Sequence, residues 1–145
     1  MFSDLGNSGA APALESLLRF AAQRQRIIAS NIANIATPGY VMRDVNVADF
    51  QQSLRDAVER RRDRSGGASG PLEIESTREV QQDGDNLFLR PSPLRTGILF
   101  HDRNNRDVER LMQAQIENAT VFRVAADLLK SRHDLLRASI AERVG

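Results

Sequence analysis

Apolar residues recur at helical spacing along two stretches of this chain. Leu14, Leu18, Ala21, Gln25, Ile28, Ile32 and Ile35 stand alternately four and three residues apart. That is a seam of the kind two helices bury between them, with one polar member, Gln25. Pro12 suits a first helical turn, and Pro38 pushes the preceding residue out of helical geometry. The pattern therefore predicts an N-terminal helix over residues 13–37, fading near Ala36. A second seam runs through Val108, Met112, Gln115, Ala119, Phe122, Ala126, Leu129, His133, Leu136 and Ile140, widened by Leu111, Leu128 and Leu135. It predicts a C-terminal helix over 104–144, about 55–60 Å long.

Between the seams the pattern breaks up. Residues 46–58 predict a short helix capped by Asn46 or Asp49. The stretch 63–71 is rich in Gly and Ser and reads as a flexible loop. LEIESTREV, 72–80, alternates as a short strand, and DGDN, 83–86, is a turn signal. Residues 87–97, with Pro91 and Pro93, read as irregular. Pro38-Gly39 fills the centre of a type II turn, in which glycine supplies a positive φ. Residues 1–12 are small and polar and read as a flexible terminus. The expected fold is mainly α. Long terminal helices form an antiparallel coiled-coil-like pair around a small, loop-rich middle region, 38–103, with minor β. Pairing the short helix with the near end of the long one sets Ile35 by Met112, Gln25 by Phe122 and Leu14 by His133.

Composition narrows the function more than the fold. The chain has 145 residues, a net charge of +1 and no cysteine. Such a balance builds no field that would select nucleic acid or an anionic membrane. Without cysteine there are no disulfides, thiolate zinc sites or thiol nucleophiles. No apolar run approaches membrane-spanning length, and MFSDLGNSGAAP, 1–12, lacks the basic and apolar regions of a cleaved signal.

Candidate chemistry is sparse. His101-Asp102 and His133-Asp134 are adjacent pairs, and neighbours on a helix do not face each other. No third metal ligand is marked. Asp83-Gly84-Asp85-Asn86 lacks the spacing of a calcium loop. Arg60, Arg61, Arg62 and Arg64 have no interleaved aromatics for base stacking. The residues indicate neither catalysis nor a cofactor. Two seams of unequal length cannot cover each other, so the longer helix must leave apolar surface for a partner. A coiled-coil adaptor or export chaperone in the cytoplasm would also fit that pattern.

One segment is more specific. RQRIIASNIANIATPGYVMRDV, 24–45, resembles the N-terminal signature of the bacterial flagellar rod and hook proteins. In that family a helix closes on Ser-Asn-x-Ala-Asn and turns through Thr-Pro-Gly-Tyr. NNRDVERLMQAQIENATVFRVAADLLKSRHDLLRASI, 104–140, is similar to the returning helix of the family's proximal rod members, and the short length agrees. Ala36 stands where the family usually has Asp, and Phe122 where Tyr is common.

The resemblance implies a structural protein of the flagellar basal body, exported by the flagellar export apparatus without a cleaved signal peptide. It would assemble helically with itself and with other proximal rod proteins, next to the MS-ring adaptor FliE. Assembly contacts are then expected from Gln25, Ile28, Asn31, Ile32, Asn34 and Ile35, from the turn Thr37-Pro38-Gly39-Tyr40, and from Met112, Phe122, Leu129 and Leu136. Asn31 and Asn34 lie off the seam and are expected to bond the backbone of adjacent subunits.

Overall fold

A computed structural model describes residues 9–66, 69–94 and 108–144. Its elements run α1 (Ala11–Ala33), β1 (Arg43–Asp44), α2 (Val47–Ser65), β2 (Val80–Asp83), β3 (Asn86–Leu89), β4 (Ser92–Pro93) and α3 (Val108–Val144). The expected plan holds: long helices at both ends and small antiparallel ribbons between them. Residues 1–8, 67–68 and 95–107 lie outside the described residues, and with them part of the expected flexible terminus, loop and start of α3.

α1 begins with Pro12 in its first turn, where the missing N–H costs no helical bond. It ends three residues before the expected end, because Asn34 already leaves helical geometry at φ −104°. α2 starts at Asn46, whose side chain accepts from the amides of Ala48 (3.0 Å) and Asp49 (3.3 Å). It runs seven residues past the expected Val58, to Ser65, and closes on Gly66 in the left-handed region at φ 63°. Arg60, within 3.8 Å of Glu75, and Arg64, 3.3 Å from Glu73, tie this extension to the chain beyond it.

The expected strand over 72–80 is corrected. Leu72 and Ile74 are buried and Glu73 and Glu75 exposed, so the alternation is present. Yet only its last residue, Val80, enters a ladder, and no strand pairs with 72–78. Instead the Gln82 side chain gives its Nε2 to the Leu72 carbonyl (2.9 Å) and takes the Ile74 amide on Oε1 (2.6 Å). The ladder forms later, between β2 and β3, with Val80 opposite Leu89 and Asp83 opposite Asn86 around the Gly84-Asp85 turn. Residues 87–93, expected to be irregular, supply β3 and β4. β4 pairs with β1, and the short ladder holds Pro93 opposite Arg43.

α1 has two buried faces. One packs Phe20 into the middle region with Val45, Phe50, Ala57, Leu72, Ile74, Val80 and Leu87. The Phe20 and Phe50 rings stack with centroids 3.9 Å apart, and burying such a pair stabilises the fold by about 3–6 kcal/mol. Gln23 docks the hairpin: its Nε2 donates to the Leu87 carbonyl, and its Oε1 accepts from the Leu89 amide at 3.2 Å. The other face meets α3, antiparallel as expected. At 37 residues against 23, α3 is some 20 Å longer than α1.

The register is one helical turn from the expected one. Gln25 bonds Asn118, one turn before Phe122, with which it shares a groove, and Gly9 lies against the Arg132 guanidinium. The buried stripe of α3 is Leu111, Asn118 and Ala125, rotated from the predicted seam. Small side chains explain the rotation. Ala21 at 0% and Ala125 at 1% exposure let the helices approach closely, while bulkier residues stay outside.

Candidate assembly surface

Two features carry the residues singled out above. The first is the end of α1 and the turn after it. Asn34 Nδ2 donates back to the Ser30 carbonyl (2.9 Å), and the Thr37 amide donates to the Asn34 carbonyl (2.9 Å). The Tyr40 amide then closes on the Thr37 carbonyl (3.2 Å) around Pro38 and Gly39. Gly39 has φ 74°, the positive value that the turn requires.

The turn returns the chain alongside α1, and Asn31 receives it. Asn31 Nδ2 donates to the Arg43 carbonyl (2.6 Å), while its Oδ1 accepts from the Arg43 amide (3.1 Å) and the Tyr40 hydroxyl (3.0 Å). Arg24 adds a bidentate ion pair to Asp44, at 3.0 and 2.7 Å, with both side chains largely buried. Asp44 Oδ1 also accepts from the Val45 amide (2.8 Å). This corrects the reason given for Asn31. Asn31 is 1% exposed and its amide serves its own chain, because the returning strand needs a two-point partner and α1 has no free backbone to offer. Asn34 likewise bonds its own helix.

The second feature is the outer face of the helix pair. Of the α1 seam, Ala21 and Ile28 are buried, while Leu14, Leu18, Gln25, Ile32 and Ile35 remain half-buried. Of the α3 seam, Met112 is 47% and Phe122 43% exposed, and Val108 and Ile140 are similar. Leu129 and Leu136 are half-buried, and His133 is exposed. The predicted α3 seam thus faces outward for most of its length. Where it runs beside α1 it walls a groove of about 550 Å³, lined by Ala21, Ala22, Gln25, Asn118, Ala119, Phe122, Arg123, Ala126 and Asp127. Among the described residues, those that line it all belong to α1 and α3.

Arg24, Asp44 and Asn118 were not singled out from the sequence. Asn118 lies within 104–140, the stretch similar to the returning helix, which was a signal; the pairing of Arg24 with Asp44 exists only across the turn. Among the described residues no group of three or more His, Asp or Glu is placed to hold a metal, and no helix is long and apolar enough to cross a membrane.

Residues 18–40, about the last two thirds of α1 and the turn, match the family model described as flagella basal body rod protein. Known relatives agree. The chain is 44% identical over 55 residues to the flagellar basal body rod protein FlgB of Salmonella typhimurium, covering 38% of each chain. It is 39% identical over 83 residues to FlgB of Yersinia enterocolitica, covering 53% of this chain and 57% of the relative. This chain is similar to the flagellar basal-body rod proteins. FlgB of Escherichia coli K12 matches at 45% over 49 residues, 34% of this chain and 33% of that one. The matches to FlgB thus span from a third to just over half of each relative. The family match falls on the Asn31–Tyr40 clamp, so the similarity to the rod proteins includes the segment that bends the chain back onto α1.

Proposed function

We propose that this chain is a structural subunit of the proximal flagellar rod, built into the basal body between the MS ring and the rest of the rod. One observation carries the reading: the heptad seam of α3 faces outward. A narrow apolar seam at strict four-three spacing is what helices bury between one another, and here its Val108, Met112, Phe122 and Ile140 are 43–49% exposed. Burial of that stripe requires further helices, as a helical polymer would supply. The similarity to FlgB supplies the setting. On this reading the partners are further copies of the chain, other proximal rod proteins, the MS-ring adaptor FliE and the flagellar export apparatus. Its work is mechanical: it carries torque along the axis and surrounds the export path.

The test is deletion of the encoding gene, followed by imaging of basal bodies. The expected result is a ring without a rod, restored by the chain supplied in trans. Rods of normal length in the deletion strain would remove the reading.

A further inference from the structure

We propose that Gln25 sets the register at which a second copy of this chain seats in the groove between α1 and α3. The inference rests on the rod-subunit reading above. It starts from Asn118, which is 3% exposed and gives its Nδ2 to the Ala21 carbonyl (2.9 Å) and to Gln25 Oε1 (3.0 Å). A main-chain carbonyl only accepts, so the Asn118 amide has a single orientation. That orientation obliges Gln25 to present its oxygen to α3. Its Nε2, with two N–H donors, is turned away from Asn118 and bonds none of the described residues.

Gln25 is half-buried among the alanines and Phe122 of the groove. Water satisfies its donors while the groove is open. A helix closing the groove with apolar side chains alone would strip that water and leave the donors unmatched. The occupant must therefore bring an oxygen to the height of Gln25. One polar position in an apolar seam selects register in this way.

Two features make the occupant a second copy. The stripe that walls the groove at Phe122 and Ala126 continues along α3 to Ile140, which is 49% exposed. Because Gly9 lies against Arg132, that continuation extends beyond the start of α1 at Ala11. Each copy thus offers both a groove and a projecting helix that carries the same stripe, a head-to-tail contact of the kind that propagates filaments. The groove rim and its continuation also alternate in sign, through Arg123, Asp127, Lys130, Asp134 and Arg137. An alternating rim complements a staggered copy of itself; a polyanion or an anionic membrane would call for one sign.

The test replaces the native gene with variants of the full chain and measures how much of each enters isolated basal bodies. Gln25→Glu keeps an oxygen for Asn118 and removes both donors. Gln25→Leu keeps the groove apolar and removes the polar position. Gln51→Glu, on the exposed surface of α2, controls for the added charge. Both Gln25 variants are expected to incorporate about tenfold less than the unaltered chain, with Gln51→Glu unchanged. Purified Gln25→Glu should melt within about 2 °C of the unaltered chain, showing that the helix pair is intact. Should it melt lower, Gln25→Leu decides alone. Full incorporation of Gln25→Leu overturns the proposal, since filling the groove would then suffice. If the unaltered chain itself is missing from basal bodies, the rod reading fails and this proposal fails with it.

Discussion

Asn31 and Arg43, 12 residues apart, pair as two strands would: the side-chain amide of the first meets both the carbonyl (2.6 Å) and the amide (3.1 Å) of the second. The same device recurs twice. Gln23 pairs with Leu87 and Leu89, and Gln82 with Leu72 and Ile74. A side-chain amide carries one donor and one acceptor side by side, as a peptide does. It can therefore bind a passing segment from a helix, as Asn31 and Gln23 do, or from a strand, as Gln82 does.

Asn31→Ala should be among the more damaging single changes in α1. It removes three hydrogen bonds and leaves the Arg43 peptide facing the gap, a loss of about 2–4 kcal/mol. Asn31→Asp should be no milder, because it turns a carboxylate oxygen toward the Arg43 carbonyl. Tyr40→Phe removes the bond to Asn31 Oδ1 and a long one, 3.5 Å, to Ser30 Oγ, and should cost about 1 kcal/mol. Urea unfolding followed by circular dichroism would rank them. A Tyr40→Phe loss equal to that of Asn31→Ala would contradict the central place given to Asn31.

The turn predicts a second ordering. A Cβ added at Gly39 would meet nothing within 4 Å, so only the positive φ opposes substitution. Gly39→Ala should cost about 1 kcal/mol, Gly39→Val more, and Gly39→Asn less, since Asn tolerates the left-handed region best. Thermal melts of the three variants check the order. Equal melting temperatures would mean that the turn can relax into another geometry.

These local features were legible in the sequence because neighbouring residues dictate them. Pro38-Gly39 fixes the turn, Asn46 caps α2, and Pro12 opens α1. What was not legible depends on contacts across the fold. Periodicity located an apolar stripe on α3 but not which flank of it is buried. The buried flank contains Asn118 and Ala125, which a hydrophobic count ranks below Met112 and Phe122. The alternation over 72–80 matched the burial of Leu72 and Ile74 but not the expected strand. It could not reveal that the segment's partner is the side chain of Gln82. Asn31 was noticed for being out of place in a helix, yet its role required knowing where Arg43 returns.

Arg24 and Asp44 make a further prediction. Their side chains are only 9% and 16% exposed, and the pair is bidentate. Arg24→Ala strands a carboxylate that keeps only the Val45 amide, and should cost about 2–4 kcal/mol. The double replacement Arg24→Leu with Asp44→Asn should recover part of that, because neither charge is then left alone. Arg24→Lys should recover little, since an ammonium cannot reproduce the two-point fork. A double-mutant cycle in urea measures the coupling. A coupling below about 0.5 kcal/mol would place the pair with ordinary surface ion pairs.

The final prediction concerns the far end of α3. Arg132 lies against Gly9, just ahead of α1. Beyond it the helix continues to Val144, with Leu135 68% and Ile140 49% exposed. A helix end that few side chains pack against opens locally more easily than the packed part of the same helix. Ser139 Oγ also donates to the Leu135 carbonyl (3.0 Å), a back-bond that slightly weakens helices. In the isolated chain, amides 133–141 should therefore exchange about 100-fold faster than those of 114–125, where Asn118 and Ala125 are buried against α1. In assembled rods the same amides should become protected, because the exposed stripe is then covered. Uniform protection along α3 in the monomer would mean that the projecting end needs no partner, and the argument from its exposed leucine and isoleucine would fail.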